Sequence, residues 1–206
     1  MHQVEDPQFY FSALKAGLER IVPLDEACWK ATQKHLFCRA IKKNECVIEA
    51  GKVNRNLYFL MDGLARYFYL REDGKEFNKS FVRPVNILAS LRCLVRGEAS
   101  SFFVQALSPA VVVGMSYEDF TRLHSTFAAW NKLGFHFLET LALKKEQREA
   151  DLLLLSASDY YKRFLDEFGD LAEQIPNYHI ASWLGITEVA LSRIRKKLGL
   201  TQVKEK

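Results

Sequence analysis

Three patterns of apolar and polar positions follow one another along the chain. Up to about residue 34, apolar residues recur at helical spacing. Leu14, Leu18 and Ile21 share one face, and a second helical stretch follows Pro23 over residues 24–34. From residue 36 to 115 the period shortens. The segments CVIEAG, NLYFLMDG, LARYFYLREDG, KEFNKSFV, FFVQAL and AVVVGM are rich in aromatic and β-branched residues and are punctuated by Gly, Asn and Asp. Strands this short at this spacing predict an antiparallel sandwich or roll. The turn signals MDG and EDG predict tight hairpins, and NILASLRCLV reads as a short helix between strands. From Tyr117 onwards the pattern is helical, with Ser116 as N-cap and Asp119 in the first turn.

Within the helical part, Phe127, Trp130, Gly134, Phe137 and Leu141 fall on one stripe. Such a stripe packs on the β-region or forms a dimer seam, and both are compatible along different parts of one helix. KKEQRE at 144–149 reads as solvated, and Pro176 marks a break.

The segment YHIASWLGITEVALSRIRKKLGL then fits a helix-turn-helix template that starts at Asn177. Ala181 stands where two helices cross closely, and Gly185 where the turn needs positive φ. Ile180, Leu184, Ile186, Leu191 and Ile194 occupy the core positions. Thr187 becomes the N-cap of the second helix, whose outward face carries Glu188, Ser192, Arg193 and Lys196. In such a motif the start of the second helix enters the major groove. Glu188 suits a cytosine amine, and Arg193 a guanine edge or a phosphate. Arg195, Lys196 and Lys197 are placed for backbone phosphates. An ordinary helical hairpin with cations at its C-terminal end is the bland alternative.

Charge supports the first reading. The chain of 206 residues carries a formal net charge of only +4. Residues 177–206 hold six cations against two anions, so this end carries the whole excess and the remainder is balanced. A neutral body with a basic end points to a local polyanion contact. The 49% hydrophobic content is enough for a substantial core. Cys28, Cys38, Cys46 and Cys93 form no CxxC pair and read as free thiols of a reducing compartment. The amino-terminal residues lack a signal pattern and no apolar run is long enough to span a membrane, so the expectation is a cytoplasmic protein without membrane contact. Of the five histidines (His2, His35, His124, His136 and His179) none lies between residues 36 and 115, which excludes a histidine-metal site in the roll. No nucleophile–base constellation is legible either. The chain reads as a non-enzyme with no metal site.

IPNYHIASWLGITEVALSRIRKKL resembles the C-terminal winged helix-turn-helix of the Crp/Fnr transcription regulators. IKKNECVIEAGKVNRNLYFLMDGLARYFYLREDGKE is similar to that family's double-stranded β-helix, the cyclic-nucleotide-binding, cupin-like roll, with Gly51, Tyr58, Gly63 and Gly74 at turn and core positions. FVQALSPAVVVGMSYEDF resembles its closing strands and the start of its dimer helix. The resemblance implies an α+β fold in three parts: N-terminal helices and roll over residues 1–116, a dimerisation helix over 117–155, and a DNA-binding helix-turn-helix over 156–206. It also implies a bacterial homodimer bound to an imperfect palindrome in double-stranded DNA, with Arg193 as the characteristic recognition-helix arginine. RNA polymerase and an unidentified small-molecule effector stand as further candidate partners. Glu188 and Val189 replace the usual base readers, so the family operator does not carry over.

The effector site departs from the family pattern. Ala89 and Ser90 stand for the Gly-Glu pair that holds the ribose of cyclic AMP. Ser100, followed by Ser101, stands for the phosphate-binding arginine, and PVN replaces Pro-Gly-Asp. Loss of two charge-assisted bonds weakens binding by a few hundredfold or more, so cyclic AMP binding is expected to be weak or absent and no cofactor is expected. Arg92 and Arg96 read as exposed, or as holders of another anion at a helix N-terminus. The alternative function is a ligand-binding or protein-interaction module without DNA binding, which salt would distinguish.

Overall fold

The computed structural model describes residues 4–200. Two helices come first, α1 (Pro7–Glu19) and α2 (Glu26–Gln33), capped by the carboxylates of Asp6 and Asp25. Ile21 lies beyond the end of α1 and is partly exposed, whereas Leu14 and Leu18 are buried.

Eight strands follow: β1 (Phe37–Ile41), β2 (Cys46–Ile48), β3 (Asn56–Asp62), β4 (Ala65–Leu70), β5 (Glu76–Val82), β6 (Asn86–Leu88), β7 (Phe103–Ala106) and β8 (Ala110–Ser116). They form two antiparallel four-stranded sheets, β1-β8-β3-β6 and β2-β7-β4-β5. Tyr58, Leu60, Tyr67, Leu88, Phe102, Val104 and Val112 fill the space between the sheets. EDG joins β4 to its antiparallel partner β5 as a hairpin. MDG does not make the expected hairpin, because β3 and β4 lie in different sheets. Gly63 there turns a corner with φ +86°, and a Cβ would meet the Pro109 carbonyl oxygen at 2.5 Å. The expected helix over NILASLRCLV is also corrected. Asn86–Leu88 pairs with β3, and only a five-residue π turn, Arg92–Arg96, follows.

The helical part is not continuous. α3 (Tyr117–Thr126) is capped by Ser116, whose hydroxyl accepts from the Asp119 N–H. Phe127 is extended and breaks the chain before α4 (Ala128–Leu154). α5 (Ala157–Phe168), α6 (Asn177–Leu184) and α7 (Glu188–Lys197) complete the order. One cluster joins Phe81 of β5 and Leu64 and Leu107 of the connections between strands to Tyr161, Phe164, Trp183 and Leu184 of the helices, so the helical end is packed against the roll. β5 is the sheet edge on that side. Ser182 of α6 donates to the Glu76 carbonyl and accepts from the Asn78 N–H, both at 3.0 Å. These bonds occupy backbone groups that an open edge would leave unpaired. No strand follows β8 among the described residues, and the last six residues of the expected winged segment, 201–206, lie outside them.

All four cysteines are free. No described helix is long and apolar enough to cross a membrane.

Candidate functional site

The helix-turn-helix positions fall as the spacing predicts. Ile180, Ala181, Leu184 and Leu191 are buried, with Ile186 and Ile194 packed against them. Gly185 takes φ +73° and ends α6 with its N–H on the Ala181 and Ser182 carbonyls, a conformation that costs a side chain with a Cβ about 1 kcal/mol. The Thr187 hydroxyl accepts from the Ala190 N–H at 3.2 Å and starts α7. Leu191 is the one buried residue of α7. Thr187, Glu188, Val189, Ser192, Arg193, Lys196 and Lys197 are all exposed, and Val189 retains 62% of its surface. Arg195 differs from them. It is half-buried and donates to Asn177 Oδ1 at the start of α6, so it ties the two helices together. The outward face thus combines a cationic end with an acidic and hydroxyl-bearing first turn.

Behind this face, α6 is held to the roll by a buried polar network. The Arg66 guanidinium, itself buried, donates to Gln105, to Asn78 Oδ1 and to His179 Nδ1 at 2.9 Å, and pairs with Glu76 at 2.6 Å. The Asn78 side-chain amide also points to His179 Nδ1, at 3.2 Å. Both neighbours of Nδ1 are donors, so the ring must accept there and carry its proton on Nε2. Burial and the Arg66 charge lower the His179 pKa to about 4. Arg148 of α4 adds a second tie. It donates to the Tyr160 hydroxyl at 2.7 Å and to the Trp183 carbonyl at 3.2 Å, with its guanidinium over the Trp183 ring. The stretch read as solvated therefore contains one half-buried cation with a structural task.

The stripe on α4 is resolved in favour of the β-region for most of its residues. Trp130 is fully buried and donates to the Thr32 hydroxyl at 2.7 Å. Gly134 is buried against His124 and Phe120, and Phe127 and Phe137 pack on the same cluster. Trp130 and Gly134 therefore cannot form a seam between chains, because they are spent within their own. Leu141 is half-buried. The large apolar residues that α4 leaves exposed are Phe135, Leu138 and Leu143, at 68%, 53% and 59% exposure, and Leu152, Leu153 and Leu154 at its C-terminal end.

The effector candidates are mostly occupied by their own chain. The Ala89 N–H donates to the Tyr67 hydroxyl at 2.9 Å. Ser90 is buried beside the Cys93 N–H, and the Ser100 hydroxyl donates to the Phe102 carbonyl at 2.8 Å. Ser101 is exposed. Arg92 is exposed and paired with Glu98, and Arg96 is exposed. A π turn of five residues is too short to supply an N-terminal anion site there.

Residues 38–127 match the family model of the cyclic nucleotide-binding domain. No curated protein sequence matches the chain. Among solved structures, FixK2 from Bradyrhizobium japonicum superposes with a TM-score of 0.71 at 16% identity, covering 80% of this chain and 84% of that one. The c-di-GMP-responsive global regulator CLP from Xanthomonas campestris gives 0.68 at 15% identity, covering 85% and 92%. A protein from Eubacterium rectale assigned to the crp/fnr family of transcriptional regulators gives 0.69 at 16% identity, covering 86% and 84%. At these identities the likeness establishes the fold: a cyclic-nucleotide-binding roll followed by a helical region arranged as in Crp/Fnr-type regulators.

Proposed function

We propose that the protein is a dimeric, sequence-specific DNA-binding regulator of transcription of the Crp/Fnr type. It answers to a small ligand other than cyclic AMP, or to none. The observation that carries this reading is α7. Its packed side is reduced to Leu191 and flanking isoleucines, and its other side presents Glu188, Ser192, Arg193 and Lys196 to solvent. Glu188 and Ser192 lie nearest the helix start and read base edges. Arg193 takes a guanine or a phosphate, and Lys196 and Lys197 take phosphates. Two chains pair along the exposed side of α4, through Phe135, Leu138 and Leu143. The two copies of α7 then sit about 34 Å apart, over successive major grooves.

The reduced affinity for cyclic AMP follows from the residues themselves. Ala89, Ser90 and Ser100 bring no charge, and the hydroxyls are used internally. Effector and DNA ends communicate through the Arg66–Asn78–His179 network and Arg148, which fix α6 against β5. A ligand acts as a switch only if it binds the docked and undocked arrangements unequally.

Selection of bound duplexes from a random pool tests the reading. It should return an imperfect palindrome with half-sites one helical turn apart, and affinity should fall steeply as salt rises. Absence of enrichment at any salt concentration would leave the protein-interaction module as the better account.

A further inference from the structure

Two rows of side chains run along the exposed side of α7, because residues four apart lie one above the other on a helix. Glu188 and Ser192 make one row, a carboxylate and a hydroxyl. Val189 and Arg193 make the other, an isopropyl group and a guanidinium. All four residues are exposed. A groove of about 820 Å³ opens beside the first row, between α7 and Pro176 and Asn177 at the start of α6, and Glu188 and Val189 border it. These two are the first residues of α7, the end that enters a major groove in a helix-turn-helix. Neither side chain is used inside the protein. Thr187 caps the helix, and Leu191 is its buried residue. Among the described residues no hydrogen bond or ion pair holds the Glu188 carboxylate, and Val189 keeps 62% of its surface.

Neither residue serves general DNA affinity. A carboxylate repels phosphates, and a valine side chain offers them no donor. Both fit base edges instead. Guanine and thymine present only acceptors to hydrogen bonding in the major groove, and adenine sets its N6 donor beside the N7 acceptor. Cytosine presents the N4 amine alone, and the apolar group in that groove is the thymine C5-methyl. We propose that the first turn of α7 reads a cytosine through Glu188 and the methyl of an adjacent thymine through Val189. Each half-site then carries a C·G pair next to a T·A pair. Val189 stands about 100° round the helix and about 1.5 Å along it from Glu188, so it faces the neighbouring pair. This assignment rests on the regulator reading above and gives it a base composition.

The test is selection from a random duplex pool with wild type, Glu188→Gln and Val189→Ala, followed by anisotropy on the recovered duplexes. Both positions are exposed, so neither substitution touches the core. Wild type should enrich the cytosine–thymine step in each half-site. Glu188→Gln should replace the cytosine by adenine, because a carboxamide accepts from N6 and donates to N7. On the wild-type duplex it should bind about five- to 150-fold more weakly. Val189→Ala should keep the cytosine and lose the preference at its neighbour. Uracil in place of that thymine removes only the methyl. It should weaken wild type about fourfold, the effect of one buried carbon, and leave Val189→Ala unchanged. The same enriched sequence for wild type and Glu188→Gln would overturn the cytosine contact. Equal affinity of wild type for thymine and uracil duplexes would overturn the methyl contact. In both cases an enriched palindrome leaves the regulator reading standing. No enrichment by any of the three proteins would overturn that reading, and this inference with it.

Discussion

The contact between α6 and the roll should be sensitive to acid, through one imidazole. His179 is buried with Nδ1 facing two donors, Arg66 and Asn78, and Glu76 is the nearest negative charge, paired to Arg66. Protonation would set an N–H against those donors and a positive charge beside a guanidinium. The His179 pKa accordingly falls from 6.5 to about 4 in the fold. Between these values the unfolded or undocked chain binds the proton and the folded one does not, so stability rises with pH across that window. The contribution is complete above pH 6.5 and is lost as pH falls through about 4. At about 1.4 kcal/mol per unit, this amounts to roughly 3 kcal/mol. Urea denaturation of wild type and His179→Gln at a series of pH values isolates it. The stability difference between the two proteins should shrink by about 3 kcal/mol from pH 7 to pH 4. Carboxylates elsewhere titrate in both proteins and cancel. A difference that stays constant across the range, or an imidazole that titrates near its ordinary value by NMR, would refute the placement of His179 between its two donors.

Thr32→Val removes the acceptor of the buried Trp130 indole N–H at nearly constant volume and should cost about 1–3 kcal/mol in thermal or chemical unfolding. Phe135→Glu or Leu138→Glu places a charge on the exposed side of α4 and should shift sedimentation from dimer to monomer without loss of helicity. Calorimetry with cyclic AMP should show no binding at micromolar concentration, because two charge-assisted bonds are missing; micromolar affinity would overturn the reading of Ser90 and Ser100.

What the amino-acid pattern made legible is what local spacing controls. The two hydroxyl caps at Ser116 and Thr187, the positive φ of Gly185 and the β4–β5 hairpin all depend on residues a few positions apart. So does the exposed face of α7, once Leu191 and its neighbours are assigned inward. The short apolar run at Asn86–Leu88 has no alternation to mark a strand, and only pairing with β3, far back in the chain, makes it one. The apolar stripe of α4 has one period but two destinations. Trp130 and Gly134 go to the roll because α3 folds back onto α4 at extended Phe127, a break the pattern does not announce. Arg66, Asn78 and His179 meet across a hundred residues, and nothing about a lone histidine in an apolar helix signals an arginine beneath it.

The account depends most on the outward side of α7. Fluorescence anisotropy of wild type and Arg193→Ala, on a duplex recovered by selection and on a scrambled one, measures that side directly. The variant should lose about 1–3 kcal/mol on the selected duplex, roughly five- to 150-fold, and much less on the scrambled one. Equal affinity of both proteins for the selected duplex would contradict the assignment of α7 as the DNA-reading helix.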